Sequence, residues 1–375
     1  LVAFECFHFI DQNTNPGKNF CAYKIDLSKA YDRVDWGFLE KAMKGLGFSH
    51  RWISWIMTCV TTVSYSVKFN GTLLDSFIPT HGLRQGDPLS PFLFLFVADG
   101  LSALLQKEIN DNQIVPLKVC RRAPGISHML FADDTLLFFK AEAEQALRVQ
   151  QVINTYAQGT GQLVNVDKCS LMFGKACPSD AQEEVRAVLQ VTQVEFEPKY
   201  LGLPTPEGRM TRGKFHSIQE KLLKRMVQWG DFSSGGKEIL IKAVAQSLPT
   251  YLMGVFKLPA GLCEDLMKMI REFWWGASKN KRRTHWISWD CMIRPKACGG
   301  MGFRDLQLFN QALLAKQAWR LIEYPDSLCA KVLRAKYYSN GPLVDTVFTG
   351  NASSTWKAIE FGLELLKKGI IWRMG

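Results

Sequence analysis

The sharpest chemistry in this sequence sits at Phe131-Ala132-Asp133-Asp134, where two adjacent carboxylates separate two apolar runs. Like charges held a few ångströms apart raise each other's pKa, so such a pair is electrostatically costly. An exposed acidic hairpin turn is one explanation. The other is a bound divalent cation that relieves the repulsion, for which hard carboxylate oxygens suit Mg²⁺. Asp26 supports the second explanation. It ends the apolar run Ala22-Tyr23-Lys24-Ile25 and opens the turn Leu27-Ser28-Lys29-Ala30-Tyr31-Asp32. If that strand lies beside the Asp133 turn, three carboxylates converge, a set able to hold two metal ions about 4 Å apart. Such ions activate an attacking hydroxyl and stabilise a leaving phosphate oxygen. A third segment, Gly82-Leu83-Arg84-Gln85-Gly86-Asp87-Pro88-Leu89-Ser90-Pro91, combines glycines that admit a close ligand with Arg84 and Gln85, which can bind phosphate or base edges. Alone, that segment also reads as a plain helix-start loop.

These residues need elements to position them. Residues 22–27 read as a strand ending in Asp26, followed by a helix over 36–46. A helix over 51–60 places Trp52, Trp55, Ile56 and Cys59 on one face. Strands over 64–69 and 72–78 flank Asn70-Gly71, the strongest short hairpin signal in the chain. Pro88 is expected to open a long apolar helix reaching about Lys107. Residues 126–131 and 135–140 read as strands around the Asp133 turn. A helix over 142–158 should stop at the Gly159/Gly161 pair. Strands over 163–166 and 170–173 bracket Asp167-Lys168. The pattern is α+β, a small antiparallel sheet backed by helices.

From about residue 207 the pattern turns helical. Phe215, Ile218, Leu222, Met226 and Trp229 form one stripe over 214–229, with Lys221, Lys224 and Arg225 off it. Ser233-Ser234-Gly235-Gly236 should break the chain before another apolar helix. Further helices are expected over 262–275, 310–324 and 326–338, with a basic loop at 279–283. Charge divides in the same way. Residues 1–206 carry 19 basic and 21 acidic side chains, and residues 207–375 carry 27 and 14, a net excess of +13. A near-neutral front and a strongly basic back suggest that chemistry and polyanion binding are shared out between them.

Other classes fit poorly. Ten cysteines without a CxxC pair are no disulfide framework and suit a reducing, intracellular compartment. His285, Cys291 and Cys298 lack the short paired spacing of a structural zinc site, so ordinary side chains are the better reading. The apolar run 89–98 is far shorter than the roughly 20 residues of a membrane span. Leu1 begins in mid-pattern, so the chain reads as an internal piece.

Taken in order, these segments resemble the palm of reverse transcriptases, and most closely the non-LTR (LINE-type) retroelement polymerases of plant genomes. The run from Ile25 to Asp32 looks like that family's motif A, Gly82 to Pro91 like motif B, and Phe131 to Asp134 like motif C. Residues 165–170 with Lys168 look like motif D, and Lys199-Tyr200-Leu201-Gly202-Leu203-Pro204 like motif E. Residues 235–242, 273–276, 299–306 and 316–321 resemble the region after the palm, so the likeness runs along essentially the whole chain.

The resemblance implies a right-hand polymerase palm with partial fingers over residues 1–206. A basic helical thumb and connection region over 207–375 would follow, leading toward an absent zinc-binding segment. It implies RNA-directed DNA polymerase activity, with two Mg²⁺ ions (or Mn²⁺) held by Asp26, Asp133, Asp134 and the Leu27 carbonyl. Tyr31 would be the gate against ribonucleotides, and Arg84, Gln85 and Gly86 would bind the incoming nucleotide. Lys168 would protonate the leaving pyrophosphate. Tyr200, Leu201 and Gly202 would grip the primer, and Lys221, Lys224 and Arg225 would follow the nucleic-acid backbone. The implied partners are an RNA template, a DNA primer or target and dNTPs, with nuclear or cytoplasmic action and no membrane. Leu1–Phe7 looks like the end of a fingers region of which most is missing. A catalytically inactive relic that at most binds RNA is therefore the alternative. A maturase-type splicing factor would share the palm but not the segments after it.

Overall fold

A computed structural model describes residues 1–205, 212–229, 232–276, 284–348 and 350–371. The expected division at 206/207, the basic loop 279–283 and residues 372–375 lie outside the described residues. The chain forms two compact units. A sheet unit comprises Phe9–Lys118 and Gly125–Leu201, and a helical unit comprises Leu1–His8, Val119–Pro124 and Gly202–Gly375. Helix α1 (Val2–Gln12) is thus shared, its first residues belonging with the C-terminal helices.

In the sheet unit, β1 (Phe20–Ile25) is followed by α2 (Trp36–Gly45), α3 (His50–Thr61), β2 (Lys68–Phe69) and β3 (Thr72–Leu73). Next come α4 (Ser90–Asn110), β4 (His128–Phe131), β5 (Asp134–Lys140), α5 (Ala143–Thr160), β6 (Ser170–Phe173), α6 (Ser179–Leu189) and β7 (Lys199–Tyr200). Four strands make an antiparallel sheet in the order β4-β5-β1-β6. Side chains alternate across a strand, so every second residue of β1 faces the helices. Tyr23, Ile25, Leu137, Phe139 and Leu171 join Leu93, Phe94, Val97 and Leu101 of α4 and Val149, Val152 and Ile153 of α5 in one core.

Several local expectations hold. Asn70 (φ 47°) and Gly71 (φ 89°) make the tight turn between β2 and β3, where two left-handed residues match the strand twist. Gly161 (φ 77°) caps α5. Others are corrected. On α3 the side packed on the core is Trp52, Ile53, Ile56, Met57 and Val60, while Trp55 and Cys59 are exposed. The packed side runs at spacings of three and four from Trp52 and Ile53 through Ile56 and Met57 to Val60. Helix α4 begins at Ser90, with Pro91 rather than Pro88 in its first turn. Residues 163–166 form no strand, only a bridge between Val164 and Leu27.

The helical unit contains β8 (Leu203–Pro204), α7 (His216–Gln228), α8 (Ser234–Leu240), α9 (Thr250–Met253) and α10 (Ala260–Trp275). It ends with α11 (Trp289–Met292), α12 (Leu306–Glu323), α13 (Leu328–Tyr337) and α14 (Ser354–Gly369). Gly235 and Gly236, expected to break the chain, lie in the first turn of α8. The hydroxyl of Ser233 caps that helix by accepting from the Gly236 amide at 3.3 Å. Helices α12 and α14 cross so closely that a Cβ on Gly362 would stand 2.3 Å from the Ala315 nitrogen. The unit closes around Glu5 of α1, whose side chain is fully buried. Its carboxylate accepts from Lys336 Nζ at 2.8 Å, Tyr337 OH at 2.6 Å and Thr355 Oγ1 at 2.8 Å, and also from Ser353 Oγ. This explains why the first residues of the chain belong with its last helices.

Candidate functional site

The register of β1 on β5 pairs Ile25 with Thr135, so one step further along lie Asp26 and Asp134. Across the β4–β5 hairpin Phe131 pairs with Asp134, leaving Ala132 and Asp133 as the turn. Ala132 takes φ 52°, a left-handed conformation that a non-glycine residue adopts at some energetic cost. The end of β1 and the hairpin tip therefore bring Asp26, Asp133 and Asp134 to one end of the sheet. Asp133 is exposed, and Asp26 and Asp134 are half-buried.

The three side chains do not close into a cage. Among the described residues, no group of three or more His, Cys, Asp or Glu side chains is arranged as a ready metal site. Asp134 lies 3.6 Å from Lys24 Nζ, and its side chain is 38% exposed against 11% for the lysine. Desolvation raises the Asp134 pKa; Lys24 opposes that shift, while Asp133 and Glu197 add to it. Asp133 acts on Tyr31 as well, whose pKa is raised first by burial and then by that carboxylate. As a donor set, three carboxylates at one sheet end still fit hard divalent cations.

The turn after β1 is clamped from two sides. On one side the Asn165 amide donates to the Asp26 carbonyl at 2.9 Å and the Ser28 amide to Leu163 at 2.7 Å. Neither bond uses the carbonyl of Leu27. On the other side the Gly82 amide donates to Val34 at 2.8 Å and the Leu83 amide to Tyr31 at 2.7 Å. Gly82 needs to be glycine, since its φ is 91° and a Cβ would stand 2.6 Å from the Asp32 carbonyl oxygen. Tyr31 stacks on Phe94 at 4.9 Å between ring centroids with 16° between planes.

These contacts bring the Arg84 segment to the same turn. Gln85 Nε2 donates to Asp32 Oδ1 at 3.2 Å, and Arg84 Nε donates to Asp87 Oδ2 at 2.9 Å. Asp32, Tyr65, Phe77, His81, Arg84 and Gln85 are among the residues lining an open groove of about 650 Å³. Lys168 is exposed at the end of a short 3₁₀ turn, two residues before Ser170, which pairs with Lys24. Tyr200 is buried, while Leu201 (φ 49°) and Gly202 (φ 74°) turn the chain where the sheet unit ends and the helical unit begins. Lys221, Lys224 and Arg225 are exposed on α7 of the helical unit, whose buried side carries Ile218 and Leu222. Sequence reasoning overlooked Lys24 and Glu197. The signal for Lys24 was available: a lone charge in the apolar strand FCAYKI, two residues before Asp26.

Residues 2–205 match the family described as reverse transcriptase (RNA-dependent DNA polymerase). A mitochondrial protein of Arabidopsis thaliana, AtMg00310, is 39% identical over 130 residues, covering 34% of this chain and 84% of its own length. The Pol polyprotein from type-1 retrotransposable element R2 of Popillia japonica is 28% identical over 166 residues, 44% of this chain and 26% of that polyprotein. The chain thus spans only about a quarter of that relative. A solved telomerase structure from Candida tropicalis, in complex with a fragment of telomeric RNA, superposes loosely. Its TM-score is 0.39 at 13% identity, over 97% of this chain and 51% of that one.

Proposed function

The chain belongs to the reverse transcriptase family, and we propose that it is the polymerase portion of a non-LTR retroelement protein, copying RNA into DNA. The observation that carries this reading is the pairing of Ile25 with Thr135, which sets Asp26 against the Asp133-Asp134 turn. In it, Asp26, Asp133, Asp134 and the Leu27 carbonyl hold two Mg²⁺ ions, with Mn²⁺ able to replace them. Such ions supply activation of the primer 3′-hydroxyl and stabilisation of the pyrophosphate leaving group. The new bond joins that hydroxyl oxygen, which gives its proton to solvent, to the α-phosphorus of a dNTP as the bond from that phosphorus to the bridging oxygen of the pyrophosphate breaks.

The remaining residues position the reactants. Tyr31, fixed by its stack on Phe94, crowds the sugar 2′ carbon and excludes ribonucleotides. Arg84, Gln85 and Gly86 contact the nucleotide and the templating pair, and Lys168 supplies a proton to the departing pyrophosphate. Tyr200, Leu201 and Gly202 hold the primer end, and Lys221, Lys224 and Arg225 follow the duplex backbone.

Primer extension on an RNA template tests the reading. The wild-type chain should extend a DNA primer with dNTPs and Mg²⁺. Asp26→Asn or Asp133→Asn should each reduce extension by more than about 100-fold, beyond the 10–100-fold typical of residues that merely support metal ligands. Extension that survives Asp26→Asn would overturn the proposal. Duplex binding without any extension would instead assign the non-catalytic alternative.

A further inference from the structure

Lys24 is a buried ammonium beside Asp134, one of the three carboxylates, and nothing in the mechanism above uses it. It lies in β1 two residues before Asp26, opposite Leu136 on one neighbouring strand and Ser170 on the other. Strand alternation puts it on the same face as Asp26. Its side chain is 11% exposed and stands 3.6 Å from Asp134 Oδ1, while an ion pair joins it to Glu197. Glu197 is brought there by its own amide, which donates to Ser170 Oγ at 3.3 Å, directly across from Lys24. A lysine this buried needs paired charge. Here it has two partners, and one of them is a proposed cation ligand.

We propose that Lys24 is a positioning residue that competes with the bound cation for Asp134, and that Glu197 is the counter-charge allowing Lys24 to release it. The proposal rests on the reading of Asp26, Asp133 and Asp134 as the cation-binding edge. Its physical content is a sign. An ammonium next to a divalent cation repels it, so removing the Lys24 charge should tighten cation binding. Removing the Glu197 charge leaves Lys24 with Asp134 as its remaining ion-pair partner here, so cation binding should weaken. Substitutions that merely damaged the fold would move both variants the same way.

The test is Mn²⁺ binding to the full chain, followed by the loss of the free-ion signal in electron paramagnetic resonance. Lys24→Met should tighten binding several-fold, Glu197→Gln should weaken it several-fold, and Lys24→Arg should stay near the wild type. Glu197 is 43% exposed, so its variant remains informative even if Lys24→Met fails to fold. Equal shifts in one direction, or no shift in Glu197→Gln, would overturn the inference. Asp26→Asn separates the two layers. If it abolishes Mn²⁺ binding while the Lys24 and Glu197 variants behave alike, the positioning role alone falls. If wild-type and Asp26→Asn proteins bind Mn²⁺ equally, the cation edge itself falls, and this inference with it.

Discussion

Two groups of carboxylates in this molecule are treated in opposite ways. Glu5, in the helical unit, is fully buried and accepts hydrogen bonds from four side chains. Asp26, Asp133 and Asp134, in the sheet unit, are half-buried or exposed, and among the described residues the last has a long ion pair to Lys24. The first arrangement spends every acceptor site on the protein itself. The second leaves oxygens for something else, at a turn whose Ala132 is held in a left-handed conformation. Strain and incompletely satisfied charge collect where a fold serves chemistry, and saturation collects where it serves stability.

That contrast can be broken most forcefully at Glu5. Removing one partner of a buried charge pair leaves the other uncompensated, typically costing about 3–5 kcal/mol. Glu5→Gln should destabilise the helical unit by an amount of that order, read as a lowered denaturant midpoint. Asp133→Asn should leave the midpoint near the wild-type value, because an exposed turn carboxylate stabilises little. Similar losses in both variants would erase the distinction.

Acid sharpens the same contrast. Burial pushes the Glu5 carboxyl up, but the charge of Lys336 and hydrogen bonds from Lys336, Ser353 and Tyr337 outweigh it, so its pKa is lowered overall. A carboxyl depressed in the folded state contributes stability that is present above its unfolded pKa and lost as pH falls through the folded value. The helical unit should therefore lose stability below the ordinary glutamate range, and Glu5→Gln should lose that pH dependence. A stability profile unchanged in slope by Glu5→Gln would contradict this.

The smallest effect expected lies on the surface. Each phosphate neutralised by the protein steepens the logarithmic salt dependence of duplex binding by roughly 0.7–0.9. Replacing Lys221, Lys224 and Arg225 together by alanine should flatten that dependence by about 2–3, with no change in sequence preference. Asp133→Asn should leave the slope unaltered. A triple variant with the wild-type slope would mean that this face of α7 is merely solvated.

What could be read from the sequence was local in origin. The Asn70-Gly71 turn, the hairpin around Asp133 and the stripe of Ile218 and Leu222 each follow from residues within a few positions of one another. The α3 stripe was misjudged because two overlapping apolar periods compete there, and the packing of neighbours decides between them. The pairing of Lys24 with Glu197 and of Glu5 with Lys336 was invisible for a different reason. They are separated by 173 and 331 residues, and no local pattern announces such a partner.

On the proposed function, divalent cations bind where β1 ends and the β4–β5 hairpin turns. Iron(II) can replace Mg²⁺ in such carboxylate sites and, with ascorbate and peroxide, cuts nearby backbone through hydroxyl radicals. Mapping the cut sites in the full chain measures the claim directly. Cleavage should cluster around residues 26 and 133, be suppressed by excess Mg²⁺ and be lost in Asp26→Asn. Cleavage at unrelated positions, or an unchanged pattern in Asp26→Asn, would contradict it.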